Sequence, residues 1–169
     1  MRPALDRLEV LAEHDDELVL AGTDEVFRLP LAPSALARQA VLVRALPVLR
    51  LRLPVAVAPP RLVGLLPDGA TPFTAERRLP GTARSAGSPP LGPFAAGQLA
   101  GVLAALAAVP PREARAWGVP GDGEVLRHGG LAPSALLAEG VRLTGLTGWR
   151  LHLGAEPESA DPAGAALLG

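Results

Sequence analysis

Over the first thirty residues apolar and polar positions alternate in short bursts. Leu8, Val10 and Ala12 share one parity, and Leu18 and Leu20 share another. A period of two marks half-buried strands. Asp15-Asp16 and Thr23-Asp24 supply turn chemistry between the bursts. The pattern predicts two or three antiparallel strands, the last over residues 26–29 and ended by Pro30. The period then changes. Leu36, Ala40, Val43 and Leu46 recur at helical spacing, as one buried stripe would. The expected helix opens at Pro33-Ser34, with Ser34 capping its first amides, and Pro47 stops it. Residues 55–57 and 62–66 read as strands parted by Pro59-Pro60, and residues 73–79 as another that ends at Pro80-Gly81.

Residues 80–93 hold four prolines with Gly and Ser, the composition of a linker. A long helix follows from about Phe94 to Val109, with Leu99, Val102, Leu103 and Leu106 as its buried stripe. Gly97 and Gly101 weaken it, each by roughly 1 kcal/mol relative to Ala; close approach of another backbone would offset that. Pro110-Pro111 ends the helix, residues 112–118 add one helical turn, and Gly121-Asp122-Gly123 is a turn. The order is strands with one helix first, then mainly helix. The expected fold class is α+β, with a sheet-and-helix part over 1–79, a hinge over 80–93 and a reduced helical part over 94–169.

Composition narrows the choices. At 169 residues, 49% of them hydrophobic, the chain suits one ordinary domain or two small lobes. A net charge of −1 argues against a nucleic-acid partner, and two Trp with three Phe leave little for base stacking. There is no apolar run long enough for a membrane span and no apolar signal core, so a cytoplasmic location is expected. Lys, Asn, Ile, Tyr and Cys are absent. Such usage fits a GC-rich coding sequence and supplies a neutral reason for Lys→Arg or Asn→Ala. It supplies none for a missing Asp, because Asp stands at seven positions.

Two stretches carry the remaining signal. Residues 128–137 read His-Gly-Gly-Leu-Ala-Pro-Ser-Ala-Leu-Leu, and residues 143–149 read Leu-Thr-Gly-Leu-Thr-Gly-Trp. The pair resembles the catalytic core of the aminoglycoside phosphotransferase and choline kinase-like small-molecule kinases, which write H-G-D-L-H-P-x-N-L-L and L-T-G-V-I-D-W. Other segments match in the same order. Val26-Phe27-Arg28-Leu29-Pro30 looks like the nucleotide-binding strand, and Ala75-Glu76-Arg77-Arg78-Leu79-Pro80-Gly81 is similar to the hinge. Leu106-Ala107-Ala108-Val109-Pro110 resembles L-H-A-V-P, and Asp161 matches a structural Asp of the tail. The resemblance implies a protein-kinase-like fold in a shortened domain. It also implies nucleotide-binding roles for Arg28, Glu76 and Arg78, and scaffold roles for His128, Gly129, Leu131, Pro133, Trp149 and Asp161.

The residues that do chemistry are replaced. The family's base falls on Gly130, and its metal ligands fall on Ala135 and Gly148. Gln39 takes the likely place of the helix Glu that pairs with the strand cation. Phosphoryl transfer needs charge neutralisation and magnesium needs oxygen ligands; none of the three positions offers a side-chain oxygen. Ser134 and Thr147 stand beside empty positions, and Glu139 and Glu156 are carboxylates of unknown placement. Each retained residue also has a plainer role: Arg28 as a strand-surface charge, His128 and Trp149 as core, Gly129-Gly130 as a turn needing positive φ. The resulting expectation is a catalytically inactive pseudokinase that binds a protein partner or itself, without a cofactor. The alternatives are an active ATP- and Mg-dependent kinase with a rearranged site, and an interaction domain that binds no nucleotide.

Overall fold

Three consecutive antiparallel strands open the fold, as their alternation requires: β1 (Glu9–Glu13), β2 (Glu17–Ala21) and β3 (Glu25–Pro30). The structure, a computed structural model, describes residues 8–157. Helix α1 (Pro33–Leu49) follows, then β4 (Arg61–Leu65) and β5 (Pro72–Arg77). These five strands make one antiparallel sheet in the order β1-β2-β3-β5-β4. Next come β6 (Thr82–Ala83), α2 (Pro93–Ala107), α3 (Pro111–Ala116) and β7 (Val125–Arg127). A 3₁₀ turn at Pro133–Ala135 leads into β8 (Leu136–Glu139), β9 (Arg142–Leu146) and β10 (His152–Gly154). β6, β8 and β9 pair in that order, and β10 pairs with β7. The chain divides into two compact units. One runs up to Val43 and returns with Ala58–Arg78; the other takes Arg44–Val57 and the chain from Leu79 onward.

In the first unit β2 buries Glu17, Val19 and Ala21. The sequence parity of Leu18 and Leu20 pointed to the other face; both are only half-buried. The reason is a polar group inside, since Glu17 is 4% exposed and finds cations there. The α1 stripe is likewise turned from the one expected. Ala35, Gln39, Leu42, Ala45, Leu46 and Leu49 are buried, whereas Ala40 is exposed and Leu36 and Val43 are half-buried. Ser34 lies inside the helix and donates its hydroxyl to Asp16 (3.3 Å) instead of capping. Pro47 does not stop α1. It sits in the last turn, where a missing N–H removes a single helical bond, and Arg50 N–H still reaches the Leu46 carbonyl (3.0 Å).

Two strand expectations change. Residues 55–57 form no strand, although Val55 and Val57 are buried. Prolines at 54, 59 and 60 flank this short segment and keep a ladder from extending through it, and the Ala56 carbonyl accepts from Leu146 N–H (3.1 Å). β4 forms, but as a sheet edge with every position exposed.

The second unit is held by α2, which buries Ala95, Leu99, Val102 and Leu106 and lies against β7 and β9. Gln98 acts as a strand edge for β9: its Oε1 accepts from Leu143 N–H (2.9 Å) and its Nε2 donates to the Leu143 carbonyl (3.2 Å). Leu136 and Leu146, paired across β8 and β9, are almost fully buried. The α2 glycines differ in their surroundings. A methyl group at Gly97 meets nothing within 4 Å, while one at Gly101 meets Pro54 Cγ at 3.2 Å. The neighbour at Gly101 is thus a side chain, not a backbone. Gly97→Ala is expected to stabilise the protein by about 0.5–1 kcal/mol through helix propensity. Gly101→Ala should gain less or lose stability; urea midpoints of the two variants check this, and equal gains would contradict it.

Candidate functional site

Arg28 is the centre of the chemistry in the first unit. Its Nε and Nη2 donate to Glu76 Oε1 (3.1 and 2.9 Å), and its Nη1 donates to Glu17 Oε2 (3.1 Å). The strand register builds this triad. Arg28 stands opposite Val19 on β2 and opposite Thr74 on β5. Glu17 and Glu76 are each two residues from those partners. They therefore project from the same sheet face, on the diagonals where long side chains meet. Gln39 completes the set by donating Nε2 to Glu17 Oε1 (3.2 Å) and to the Arg28 carbonyl (3.3 Å). Arg38 bridges Asp16 (2.9 Å) and approaches Glu17 (3.6 Å).

Burial works against the Arg28 charge, but the fields and hydrogen bonds of Glu76 and then Glu17 outweigh it. The guanidinium is held above the usual arginine range. Counter-charge thus comes from two strands and not from the helix position of Gln39. Two guanidinium groups face three carboxylates in this cluster, which leaves one negative charge in excess. Arg78, the other candidate cation, is exposed. Its main-chain N–H bonds the Asp24 carbonyl (2.8 Å) and its Nη1 the Gly22 carbonyl (3.4 Å), fixing it on the β2–β3 turn.

In the second unit the two degenerate stretches form adjoining loops. Thr147 ties them: its N–H (2.9 Å) and its hydroxyl (3.5 Å) both donate to the Ala135 carbonyl. His128 is fully buried and its ring lies 4.3 Å from that of Trp149, tilted by 40°. Trp149 Nε1 donates to the Leu146 carbonyl (3.2 Å). Burial holds His128 down to about 4, and a hydrogen bond with the Thr147 backbone opposes that only in part. Both rings are core residues that carry the loops. Gly129 has φ +78°, and a Cβ there would fall 1.9 Å from the Arg150 carbonyl oxygen, so no other residue fits. Leu131 and Pro133 are half-buried framework, Pro133 opening the 3₁₀ turn.

The three positions of chemical interest stand close together. A Cβ at Gly148 would sit 3.8 Å from the Ala135 Cβ, and one at Gly130 would sit 3.0 Å from the Gly148 carbonyl oxygen. No side-chain oxygen arises from any of them. Glu139 stands opposite Arg142 at the turn end of the β8–β9 hairpin, while Ala135 precedes its other end at Leu136↔Leu146. Glu156 is exposed beyond β10. Among the described residues no three His, Asp or Glu come together as a metal would need. This donor set does not fit magnesium. Asp161 lies outside the described residues.

Sequence reasoning missed Glu17, Asp16 and Arg38. Glu17 follows the Asp15-Asp16 turn and was assigned no role. Its one signal was its shared parity with Val19 and Ala21, which the louder Leu18 and Leu20 masked.

No family model matches the sequence, and no curated protein matches it. Solved structures do. APH(2")-IIia in complex with GDP and kanamycin superposes with a TM-score of 0.71 at 21% identity, over 87% of this chain and 67% of that one. The GDP complex of wild-type aminoglycoside 2'-phosphotransferase-IIIa gives 0.68 at 21%, over 83% and 65%. Macrolide 2'-phosphotransferase MphH from Brachybacterium faecium gives 0.64 at 25%, over 85% and 64%. The chain therefore has the α+β, protein-kinase-like fold of these phosphotransferases and spans about two thirds of their length. No helix among the described residues is long and apolar enough to cross a membrane.

Two consequences are measurable. Arg28→Met leaves Glu76 buried without its cation and Glu17 with only the more distant Arg38, and is expected to cost about 3–5 kcal/mol. A merely surface-exposed arginine would cost less than about 0.5 kcal/mol, and urea unfolding separates the two. For His128, the folded value near 4 lies below the ordinary 6.5, so between these pH values the unfolded chain binds the extra proton. Stability must then fall as pH drops from 6.5 towards 4. Unfolding at a series of pH values should show that slope reduced in His128→Leu; an unchanged slope would assign it to other groups.

Proposed function

We propose that this chain is a non-catalytic relative of the small-molecule phosphotransferases, retained as a binding or scaffolding module. One observation carries the reading. The adjoining loops keep their framework (His128, Gly129, Trp149 and the Thr147 clamp), while the positions from which chemistry would be done hold only Gly130, Ala135 and Gly148. A framework under that much steric constraint is preserved for shape. Gly129 alone would meet backbone within 2 Å if it carried a side chain.

The first unit supports the same reading. Phosphoryl transfer requires cations at the phosphates. Arg28 is engaged on both sides by carboxylates inside a cluster of net negative charge, so it is poorly placed to give up its partners to a triphosphate. Loss of general-base help costs about 10²–10⁴ in rate. Loss of the metal ligands removes the remaining neutralisation, so neither ATP nor magnesium is needed by the module. Apolar surface for a protein partner or a second copy exists on both sheet edges, at Val10 and Leu11 on β1 and at Leu62, Val63 and Leu65 on β4.

The test is a phosphotransfer assay with ATP and GTP, magnesium, and a panel of amino- and hydroxy-compounds. No turnover above buffer is expected. Turnover that disappears in Glu139→Gln or Glu156→Gln would establish a rearranged, working site and end this proposal.

A further inference from the structure

Strand β4 is an edge of the first unit's sheet, and no strand among the described residues pairs with its outer side. All five of its positions are exposed. Three are large and aliphatic: Leu62 is 63% exposed, Val63 39% and Leu65 56%. The pairing with β5 fixes the faces they occupy. Leu62 stands opposite Thr74 and Leu65 opposite Pro72, with the register shift between Leu62 and Gly64. Thr74 and Pro72 are two residues apart and share a sheet face. The bulge therefore brings Leu62 and Leu65, three apart in sequence, onto that same face. Gly64 stands opposite Phe73 on the other face, where the Phe73 ring lies 3.0 Å from the place a Cβ would take. The outer side of β4 thus offers main-chain hydrogen-bonding groups along its length and two exposed leucines on one face.

Edges of this kind are usually guarded by charge or by proline. β1, the sheet's other edge, is so guarded. It begins at Glu9 and ends at Glu13, so two copies paired antiparallel along β1 would bring acid towards acid at both ends. β4 differs. It contains no proline and one charge, Arg61 at its start, which holds Glu25 of its own sheet. Past its end stands Asp68, which is exposed. Antiparallel pairing of two β4 strands brings the Arg61 end of each towards the Asp68 end of the other. Charge is then complementary at both ends, and residues 62–67 between them carry none. A two-fold axis between Val63 and Gly64 sets Leu62 of each copy opposite Leu65 of the other. Four leucines then meet on one face of the joined sheet.

We propose that β4 is a self-association edge, along which two copies of this chain pair antiparallel and join their five-stranded sheets into one. The occupant is a second copy because the strand complements itself in register, in charge and in apolar contact. This names the partner of the binding module and rests on that reading. A two-fold pairing closes. Joining β1 of one copy to β4 of the next would leave an open edge at each step and grow without limit.

Sedimentation equilibrium of the whole chain, from about 5 μM to about 1 mM, tests it. A single strand edge is a small interface, so a dissociation constant of about 10–500 μM is expected, with the mass rising to that of a dimer and no further. Leu62→Glu and Leu65→Arg should each weaken the dimer by at least about tenfold, since each sets a charge against an apolar partner. Both positions are exposed, so melting curves of the two variants should match the parent. The double variant should dimerise again, because antiparallel pairing sets the new acid of each copy against the new base of the other. The control Val10→Glu on β1 should leave the dimer unchanged. A mass that stays monomeric to about 1 mM, that grows past a dimer, that drops in Val10→Glu or that is indifferent to Leu62→Glu would overturn the proposal, as would a double variant that stays monomeric. Phosphotransfer turnover in the same preparations would end the non-catalytic reading whatever the mass, so the two failures are told apart.

Discussion

A guanidinium held between two carboxylates inside a sheet is the constraint on which the first unit turns. Charges of this kind are costly to desolvate, and they persist only where every partner is in place. Glu17, Arg28 and Glu76 come from three adjacent strands, so the triad reports that β2, β3 and β5 are in register. A slip of one residue would send each of these side chains to the opposite face. Gln39 links the same cluster to α1 with a neutral amide. A carboxylate there would have added a further negative charge to a cluster that already has one in excess. The neutral residue on the helix and the acidic residues on the strands thus form one electrostatic arrangement.

The second unit relies on steric constraint where the first relies on charge. Its two loops are fixed by a left-handed glycine pressed against a carbonyl, by the tilted ring contact of His128 and Trp149, and by the double hold of Thr147 on Ala135. None of these contacts involves a chemically active group. Between these contacts, positions 130, 135 and 148 carry only hydrogen or methyl.

Much of this was legible in the sequence, and what was not has identifiable causes. Glycines, prolines and the order of apolar bursts gave strands of the first unit, α2 and the two motif loops, because these depend on local geometry; β6 to β10 were not anticipated, since a linker and then mainly helix were expected there. The Gly129-Gly130 turn was readable in the same way, at Gly129. Glu17 was hidden because a buried acid looks like a turn residue until its cation is known, and that cation lies eleven residues on, across a strand pair. The α1 face was misjudged for the same reason: a buried Gln39 breaks the apolar stripe that periodicity seeks. Residues 55–57 have strand-like composition, but the flanking prolines cannot carry a ladder onward on either side.

The glycines at 130 and 148 differ in the room and the backbone they offer a side chain. At Gly148 the space is open and the backbone, at φ +69°, is one that Asp and Asn tolerate better than most residues. At Gly130 the chain has settled so that the Gly148 carbonyl lies where a first side-chain atom would press against it. A side chain at Gly148 would have room but would need a left-handed backbone, whereas one at Gly130 would need the Gly148 carbonyl to give by a few tenths of an ångström.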